Sequence, residues 1–186
     1  MLRCATPDRW LPMVLADLDT LLLDHAHNEK KAASTVLSFV FRAPDAELSA
    51  ALSRMAREEL THFEMVLREL KRRGVPFGRL TPAAYAGRLV EGCRKRPEAD
   101  ALVDAFVAAA LIEARSAERL ALLAEAVTDP ELRALYAALH PAEERHHALL
   151  LEAAARFGDV EPRLEVLAER EAAIVRQGES LVRMHA

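Results

Sequence analysis

Residues 58–64 read EELTHFE, within a segment that has the spacing of a buried helix. Apolar residues recur four, seven and eleven positions from Glu59, which is the pattern of a helix face packed in a core. An ionised carboxylate on that face is unfavourable unless its charge is compensated. His62 follows three residues later on the same face, so one metal ion could contact both side chains. The alternative is a surface glutamate beside an ordinary core histidine.

The same pattern recurs on three other helical segments. Glu29, Glu113 and Glu143 each lie on an apolar stripe, and His146 follows Glu143 by three residues. Thirty residues separate Glu29 from Glu59, and thirty separate Glu113 from Glu143. The chain therefore has two helix pairs, each with a lone glutamate followed by an ExxH motif. Antiparallel pairing is expected to gather all six side chains at mid-bundle.

Length and composition predict one helical domain over residues 1–186. Six glycines and nine prolines separate long segments rich in Ala, Leu, Glu and Arg, and alternating Val/Ile/Thr runs are absent. Cys4 and Cys93 form no disulfide framework. The N-terminal residues lack the apolar run of a signal peptide, and the longest apolar stretch, 105–112, is too short to span a membrane. We expect a cytoplasmic protein.

Cap and turn residues predict the helix limits. Four long helices with a longer connection between the second and third indicate a four-helix bundle with one crossover and extra short helices. The predicted segments are a short helix after Thr6-Pro7, a long one from Asp17 to about Arg42, a second from Pro44-Asp45 to Gly74, a short one from about Pro82 to Cys93, a third long one from Pro97 to before Thr128, a fourth from Pro130 to Gly158 kinked at Pro141, and a last one after Pro162.

Four buried carboxylates and two histidines match the ligand set of ferritin-like carboxylate proteins, in which facing helices supply Glu and ExxH. Four negative charges need two divalent ions for neutrality. Oxygen-rich ligation with one histidine per ion favours iron or manganese over structural zinc. The all-α class predicted here is therefore a ferritin-like bundle with a two-metal site.

Some neighbouring residues offer alternatives. Residues 143–147 read EERHH, so Glu144 with His147 competes with the favoured pair, Glu143 and His146. Glu118 competes with Glu113, but its stripe includes Arg115 and Glu125, which predicts a solvent-facing side chain.

Two further residues lie on the metal stripes. His25, four residues before Glu29, is either a hydrogen-bond partner of that ligand or an ordinary partly buried histidine, and the second interpretation is favoured. Tyr136 is predicted to be a core residue rather than a redox-active one.

Four segments of the chain closely resemble the tRNA 2-methylthio-isopentenyl-adenosine hydroxylase family, MiaE. They read HAHNEKKAASTVLSFV, REELTHFEMV, LIEARSAERLALLA and EERHH, and the resemblance extends over roughly Trp10 to Phe157. The resemblance implies a non-haem di-iron monooxygenase that hydroxylates the isopentenyl group of the hypermodified adenosine beside the tRNA anticodon. It implies dioxygen as co-substrate and two electrons from an external electron-transfer protein or reductase. Carried over by motif, the iron ligands are Glu29, Glu59, His62, Glu113, Glu143 and His146. On the fourth long helix the family usually reads Ser-Glu-Ala-Arg-His, where this chain has Ala-Glu-Glu-Arg-His-His.

A basic segment offers a place for tRNA. Residues 68–96 carry nine Lys or Arg against two Glu, or +7, whereas the whole chain carries −4 and the remainder therefore −11. Such a patch can hold phosphates, although basic residues at a helix end also interact favourably with the helix dipole. With the family resemblance, tRNA contact is favoured. The candidate residues are Lys71, Arg72, Arg73, Arg79, Arg88, Arg94, Lys95 and Arg96.

Other functions fit less well. An iron-storage bundle would take up many irons per chain, and a rubrerythrin-like peroxidase would normally bring a CxxC module. A purely structural helical adaptor leaves four glutamates on core stripes unexplained.

Overall fold

A computed structural model describes residues 2–185, which form seven α-helices and contain no strand. No helix in this part of the chain combines the length and apolar character needed to cross a membrane. The helices are α1 (Trp10–Leu15), α2 (Leu18–Val40), α3 (Ala46–Arg72), α4 (Tyr85–Val90), α5 (Glu98–Ala126), α6 (Pro130–Ala154) and α7 (Glu161–Gln177).

The long helices begin at the residues whose side chains can cap them. Asp17 accepts a hydrogen bond from Thr20 N at 3.1 Å before α2, and Asp45 accepts one from Leu48 N at 2.9 Å before α3. Asp129 caps α6 in the same way. Gly74 follows α3 with a φ of 73°, a conformation that glycine adopts without steric penalty. Local cap chemistry therefore sets these limits.

Two predicted limits differ from the structure. The short helix expected from about Pro82 to Cys93 covers only Tyr85–Val90, because the chain tightens into i→i−3 hydrogen bonds at Gly92 and Cys93. The fourth long helix ends at Ala154 rather than Gly158, since i→i−3 turns replace the α-helical bonds as far as Phe157. The same helix continues through Pro141 without interruption.

The chain forms two compact units. The smaller one contains Ala16–Pro82 and Val182–Met184, and in it α2 and α3 pack against each other. The short connection between the two helices makes them antiparallel. Apolar side chains from both helices fill the space between them, and the fully buried ones include Leu21, Leu22, Leu52 and Val66.

The larger unit contains the chain up to Leu15, Ala83–Leu181 and His185. In it α5 packs along α6 and also contacts α4 and α7. Buried apolar residues of α5 and α6 form most of its core, including Phe106, Leu111, Leu120, Leu132 and Leu150. Each unit thus contains one of the two long-helix pairs predicted from the sequence.

Candidate metal centre

The α2–α3 pair buries three of the predicted ligands. Glu29 is 6% exposed, Glu59 is fully buried and His62 is 7% exposed. His62 Nδ1 lies 3.5 Å from Glu29 Oε2 and 3.9 Å from Glu59 Oε2. The apolar stripes of both helices carry these side chains into the space between α2 and α3, so the three polar groups converge there.

These separations agree with metal ligation. Oxygen and nitrogen ligands lie about 2.1 Å from a bound transition-metal ion, so two ligand atoms that share one ion lie at most about 4.2 Å apart. Both distances from His62 Nδ1 are shorter than this limit. Two carboxylates also carry the negative charge that one divalent ion neutralises. The donor set of this unit therefore fits one metal ion.

His25 contacts a predicted ligand directly. It is 1% exposed, and its Nε2 lies 2.7 Å from Glu29 Oε1. His25 is thus fully buried rather than partly buried as expected, because one helical turn places it beside the Glu29 carboxylate. Glu29 therefore has Oε1 beside His25 and Oε2 beside His62.

The α5–α6 pair buries the other three predicted ligands. Glu113 is 5% exposed, Glu143 is 1% exposed and His146 is 2% exposed. His146 Nδ1 lies 3.8 Å from Glu143 Oε2, again short enough for both atoms to bind one ion. This unit therefore offers two carboxylates and one imidazole, the same donor set as the α2–α3 pair.

The competing pair on α6 is placed differently. Glu144 is exposed, with its Oε1 3.4 Å from His140 Nε2. His147 is buried, and its Nδ1 lies 2.7 Å from the Ala110 carbonyl oxygen. A carbonyl only accepts, so Nδ1 is the donor. Burial lowers the pKa of His147 below its usual value, although the hydrogen bond to Ala110 opposes this shift. The geometry favours Glu143 and His146 as ligands, and the six-residue assignment stays a prediction.

Glu118 was expected to face solvent, and the structure places it differently. It is half-buried, and its carboxylate accepts hydrogen bonds from Thr6 N at 3.0 Å and Thr6 Oγ1 at 2.6 Å. Arg115, whose presence on the Glu118 stripe suggested exposure, is itself fully buried and contacts Glu118. Glu118 thus ties the N-terminal segment to α5.

Tyr136 is fully buried, which confirms its predicted place in the core.

Half of the residues predicted to contact tRNA are engaged within their own unit. Four guanidinium groups pair with other side chains: Arg72 with Glu69 at 2.5 Å, Arg73 with Asp19 at 2.7 Å, Arg94 with Asp104 at 2.8 Å, and Arg88 with Gln177. The remaining candidates, Lys71, Arg79, Lys95 and Arg96, are exposed. The exposed cations are the ones placed to meet an external polyanion.

Asp104 is a buried charged residue that the sequence did not single out. It accepts hydrogen bonds from Arg94 and, at 2.8 Å, from two nitrogens of Arg163. Burial alone would raise the pKa of Asp104, but hydrogen bonds from Arg163 and Arg94 outweigh burial and hold it below the usual value. An aspartate on an otherwise apolar stretch of α5 was the signal available in the sequence.

A second buried charge pair joins Arg115 of α5 to Glu171 of α7, and both side chains are fully buried. Arg115 Nε and Nη2 lie 2.9 and 3.0 Å from the two Glu171 oxygens, and Tyr85 donates to Glu171 at 3.0 Å. The pair fastens α7 to α5 on the side of α5 away from Glu113.

Solved structures define the class of protein. The chain is similar to "Protein 43 with aldehyde deformylating oxygenase activity" from Synechococcus, with a TM-score of 0.93, 40% sequence identity, and coverage of 100% of this chain and 95% of that one. The predicted class is confirmed: the protein is all-α and ferritin-like. Its buried glutamates and histidines lie at ligand spacing and are compatible with a metal site of the kind that such bundles hold.

Family comparisons narrow the class. The family described as tRNA-(MS[2]IO[6]A)-hydroxylase (MiaE) matches residues 1–186, so the chain belongs to the MiaE family. Its relatives include the tRNA 2-(methylsulfanyl)-N(6)-isopentenyladenosine(37) hydroxylase of Pseudomonas putida, 46% identical over 85% of this chain and 77% of the relative. The enzyme of the same name from Salmonella typhimurium is 28% identical over 99% of this chain and 87% of that protein. The family resemblance seen in the sequence is confirmed.

Proposed function

We propose that this chain hydroxylates the isopentenyl group of the hypermodified adenosine beside the tRNA anticodon. Membership of a tRNA hydroxylase family over the whole chain carries the proposal. The names of both curated relatives support it, since each is a hydroxylase of 2-(methylsulfanyl)-N(6)-isopentenyladenosine in tRNA. The proposed location is the cytoplasm, where tRNA is modified. Residues 1–186 are proposed to form one domain.

The proposed cofactor is a pair of iron ions. Each helix pair supplies two buried carboxylates and one buried imidazole, which suits one ion of this kind per pair. When bound, the irons supply the redox chemistry that activates dioxygen with two electrons from an external electron-transfer protein or reductase. The proposed ligands are Glu29, Glu59 and His62 from α2–α3 and Glu113, Glu143 and His146 from α5–α6.

The chain's own residues hold and shield this site. His25 orients the Glu29 carboxylate through its 2.7 Å contact. Leu22 and Leu52 in one unit and Leu120 and Leu150 in the other are fully buried on the helix faces that carry the proposed ligands, so apolar side chains limit the access of water to them. These residues would take no direct part in the oxidation of the substrate, which the bound cofactor would perform. They would limit side reactions with water.

The proposed tRNA contacts are reduced to the exposed cations of the basic segment. Lys71, Arg79, Lys95 and Arg96 can approach phosphates without breaking an internal ion pair. Arg94 instead donates to Asp104 through its backbone N at 2.6 Å and its guanidinium at 2.8 Å, and so holds the residues that follow it in place. We assign to Arg94 the positioning of Lys95 and Arg96 rather than a contact with tRNA.

The decisive experiment uses iron-loaded protein, a reductant, oxygen and tRNA from cells that cannot hydroxylate this base. The tRNA is digested and its nucleosides are analysed by mass spectrometry for one added oxygen on the isopentenyl-adenosines. Glu113→Ala is expected to abolish the product without unfolding the helices, because it removes a buried carboxylate of the proposed ligand set. Glu125→Ala is the matched control, since Glu125 is an exposed glutamate on the same helix.

A second candidate function is deformylation of an aldehyde. The Synechococcus protein, 40% identical over the whole of this chain, is described by aldehyde deformylating oxygenase activity. The same iron-loaded preparation is therefore also incubated with an aldehyde. Product from the aldehyde and none from tRNA, with bound iron and a working electron donor verified, would reject the tRNA assignment. Uptake of many irons per chain with neither product would indicate storage.

A further inference from the structure

The loop that follows α3 presents an aromatic ring at the surface of the smaller unit. Phe77 is 44% exposed and packs on two rings of the helices beneath it. Its centroid lies 4.8 Å from that of His27 on α2, tilted by 32°, and 5.6 Å from that of Phe63 on α3 in an edge-on arrangement. The supporting rings limit the movement of Phe77 and leave part of its surface open to solvent.

Hydrogen bonds fix the loop that carries this ring. His27 Nε2 lies 2.8 Å from the Gly78 carbonyl oxygen, and Lys30 Nζ lies 3.3 Å from His27 Nδ1. A protonated lysine only donates and a carbonyl only accepts, so His27 carries its hydrogen on Nε2 and both bonds form together. Gly78 directly follows Phe77, and the His27–Gly78 bond therefore anchors the loop next to the aromatic ring.

The surroundings of the ring are cationic. Lys30 Nζ lies 5.3 Å from the Phe77 ring centroid, a cation–π distance. Lys31 and Arg79 are exposed. Residues 68–82 carry five Lys or Arg and one carboxylate, Glu69, which is paired with Arg72. An exposed aromatic ring among cations is the combination with which proteins bind unpaired nucleotides, because the ring stacks on the base and the cations attract the phosphates.

The same helices carry predicted metal ligands at this level. His27 and Lys30 flank Glu29 on α2, and Phe63 directly follows His62 on α3. Glu29 and His62 turn into the unit, whereas His27, Lys30 and Phe63 lie towards the Phe77 loop. The exposed ring therefore lies at the same height along α2 and α3 as the ligands buried between them.

We propose that Phe77 stacks on an unpaired base of the RNA substrate, with Lys30, Lys31 and Arg79 near its phosphates. The proposal rests on the proposed tRNA hydroxylase function. The bound chemical group is a nucleobase in a single-stranded loop, held by its aromatic face rather than by base-specific hydrogen bonds. Phe77 thus fixes the position of the RNA loop, and the modified base is free to reach the metal centre.

The test compares RNA binding by variants of the full chain. The probe is a labelled anticodon stem-loop RNA at fixed salt, and its Kd is measured by fluorescence anisotropy. Phe77→Ala is expected to raise Kd about 5- to 150-fold, the range found for removing an aromatic ring stacked on one base. Phe77→Trp keeps a stacking ring and is expected to retain binding. Phe41→Ala is the matched control, because Phe41 is 86% exposed in the same unit.

A series of abasic RNAs separates stacking from a structural role. Each loop nucleotide in turn loses its base, and one of these RNAs is expected to bind the wild type more weakly without further loss in Phe77→Ala. Phe77→Leu keeps an apolar contact with Phe63 and removes the ring, so it replaces the alanine variant if circular dichroism shows that the latter is unfolded.

Three results would overturn the proposal. Phe77→Ala could bind RNA as tightly as Phe41→Ala while the wild type still hydroxylates tRNA, which would reject the stacking role alone. Phe77→Ala could instead convert a dimer into a monomer in light scattering, which would assign the ring to a contact between two copies of the chain. If the wild type neither binds nor hydroxylates tRNA, the proposed function fails and the stacking role fails with it.

Discussion

Removing Arg115 is expected to lower the stability of the protein more than removing one partner of an exposed ion pair. Arg115→Met keeps a long apolar side chain on α5 and removes the guanidinium that contacts both oxygens of Glu171 at 2.9 and 3.0 Å. Glu171 is fully buried, and the Tyr85 hydroxyl at 3.0 Å remains as a donor to it. The variant therefore leaves a buried carboxylate whose charge is no longer balanced by Arg115.

The expected loss in unfolding free energy is about 3–5 kcal/mol, the range for breaking a buried pair from one side. The double variant Arg115→Met/Glu171→Met removes both charges and is expected to be more stable than the Arg115→Met single variant. Arg3→Met is the matched control, since Arg3 lies 3.7 Å from Glu169 of the same α7 helix in an exposed pair. Its loss is expected to be below about 1 kcal/mol.

The assay is urea unfolding followed by far-UV circular dichroism. A chelator in all samples keeps metal binding out of the measured free energy. The reasoning is refuted if Arg115→Met loses no more stability than Arg3→Met. It is also refuted if the effects of Arg115→Met and Glu171→Met, each measured alone, simply add in the double variant, because additivity would mean that the two charges do not interact.

Two further predictions concern His25 and Asp104. His25→Ala removes the contact with Glu29 and is expected to lower iron retention and hydroxylation about 10- to 100-fold, measured as iron content after dialysis and as product; unchanged iron retention would contradict it. Asp104→Asn is expected to lose about 2 kcal/mol at neutral pH, because charge-assisted bonds from Arg94 and Arg163 weaken. The pKa of Asp104 is below its usual 3.8, so its contribution is fully present above that pH and lost as pH falls through the folded-state pKa. Urea unfolding at a series of pH values should show the wild-type advantage shrink below about pH 4, and an advantage that grows on acidification would contradict this sign.

The sequence predicted features that depend on nearby residues. Asp17 and Asp45 mark helix starts because a cap needs only the first turn of its own helix. Glu59 and Glu143 were expected to be buried because helical periodicity alone places them among apolar residues, and both are at most 1% exposed. Their role as metal ligands stays a prediction, since burial and spacing do not identify the ion.

Features that depend on distant residues were missed. Arg115 and Glu171 are 56 positions apart, and no local pattern indicates that they pair. For the same reason Glu118 was expected in solvent, although it binds Thr6 more than a hundred residues away. The contact of His25 with Glu29 was not expected, because a histidine on an apolar stripe can be buried beside many different residues. Only the side-chain geometry shows that Glu29 lies beside it.

The confinement of each donor set to neighbouring helices affects how the protein folds during synthesis. Glu29, Glu59 and His62 are supplied by two helices joined by a short turn, so their contacts need little loop closure and can form early. This pair is synthesised before α5. Contacts such as Cys4 Sγ with the Ala172 carbonyl span 168 residues and must wait for most of the chain. We expect the first donor set to be able to capture a metal ion while the C-terminal half is still being translated.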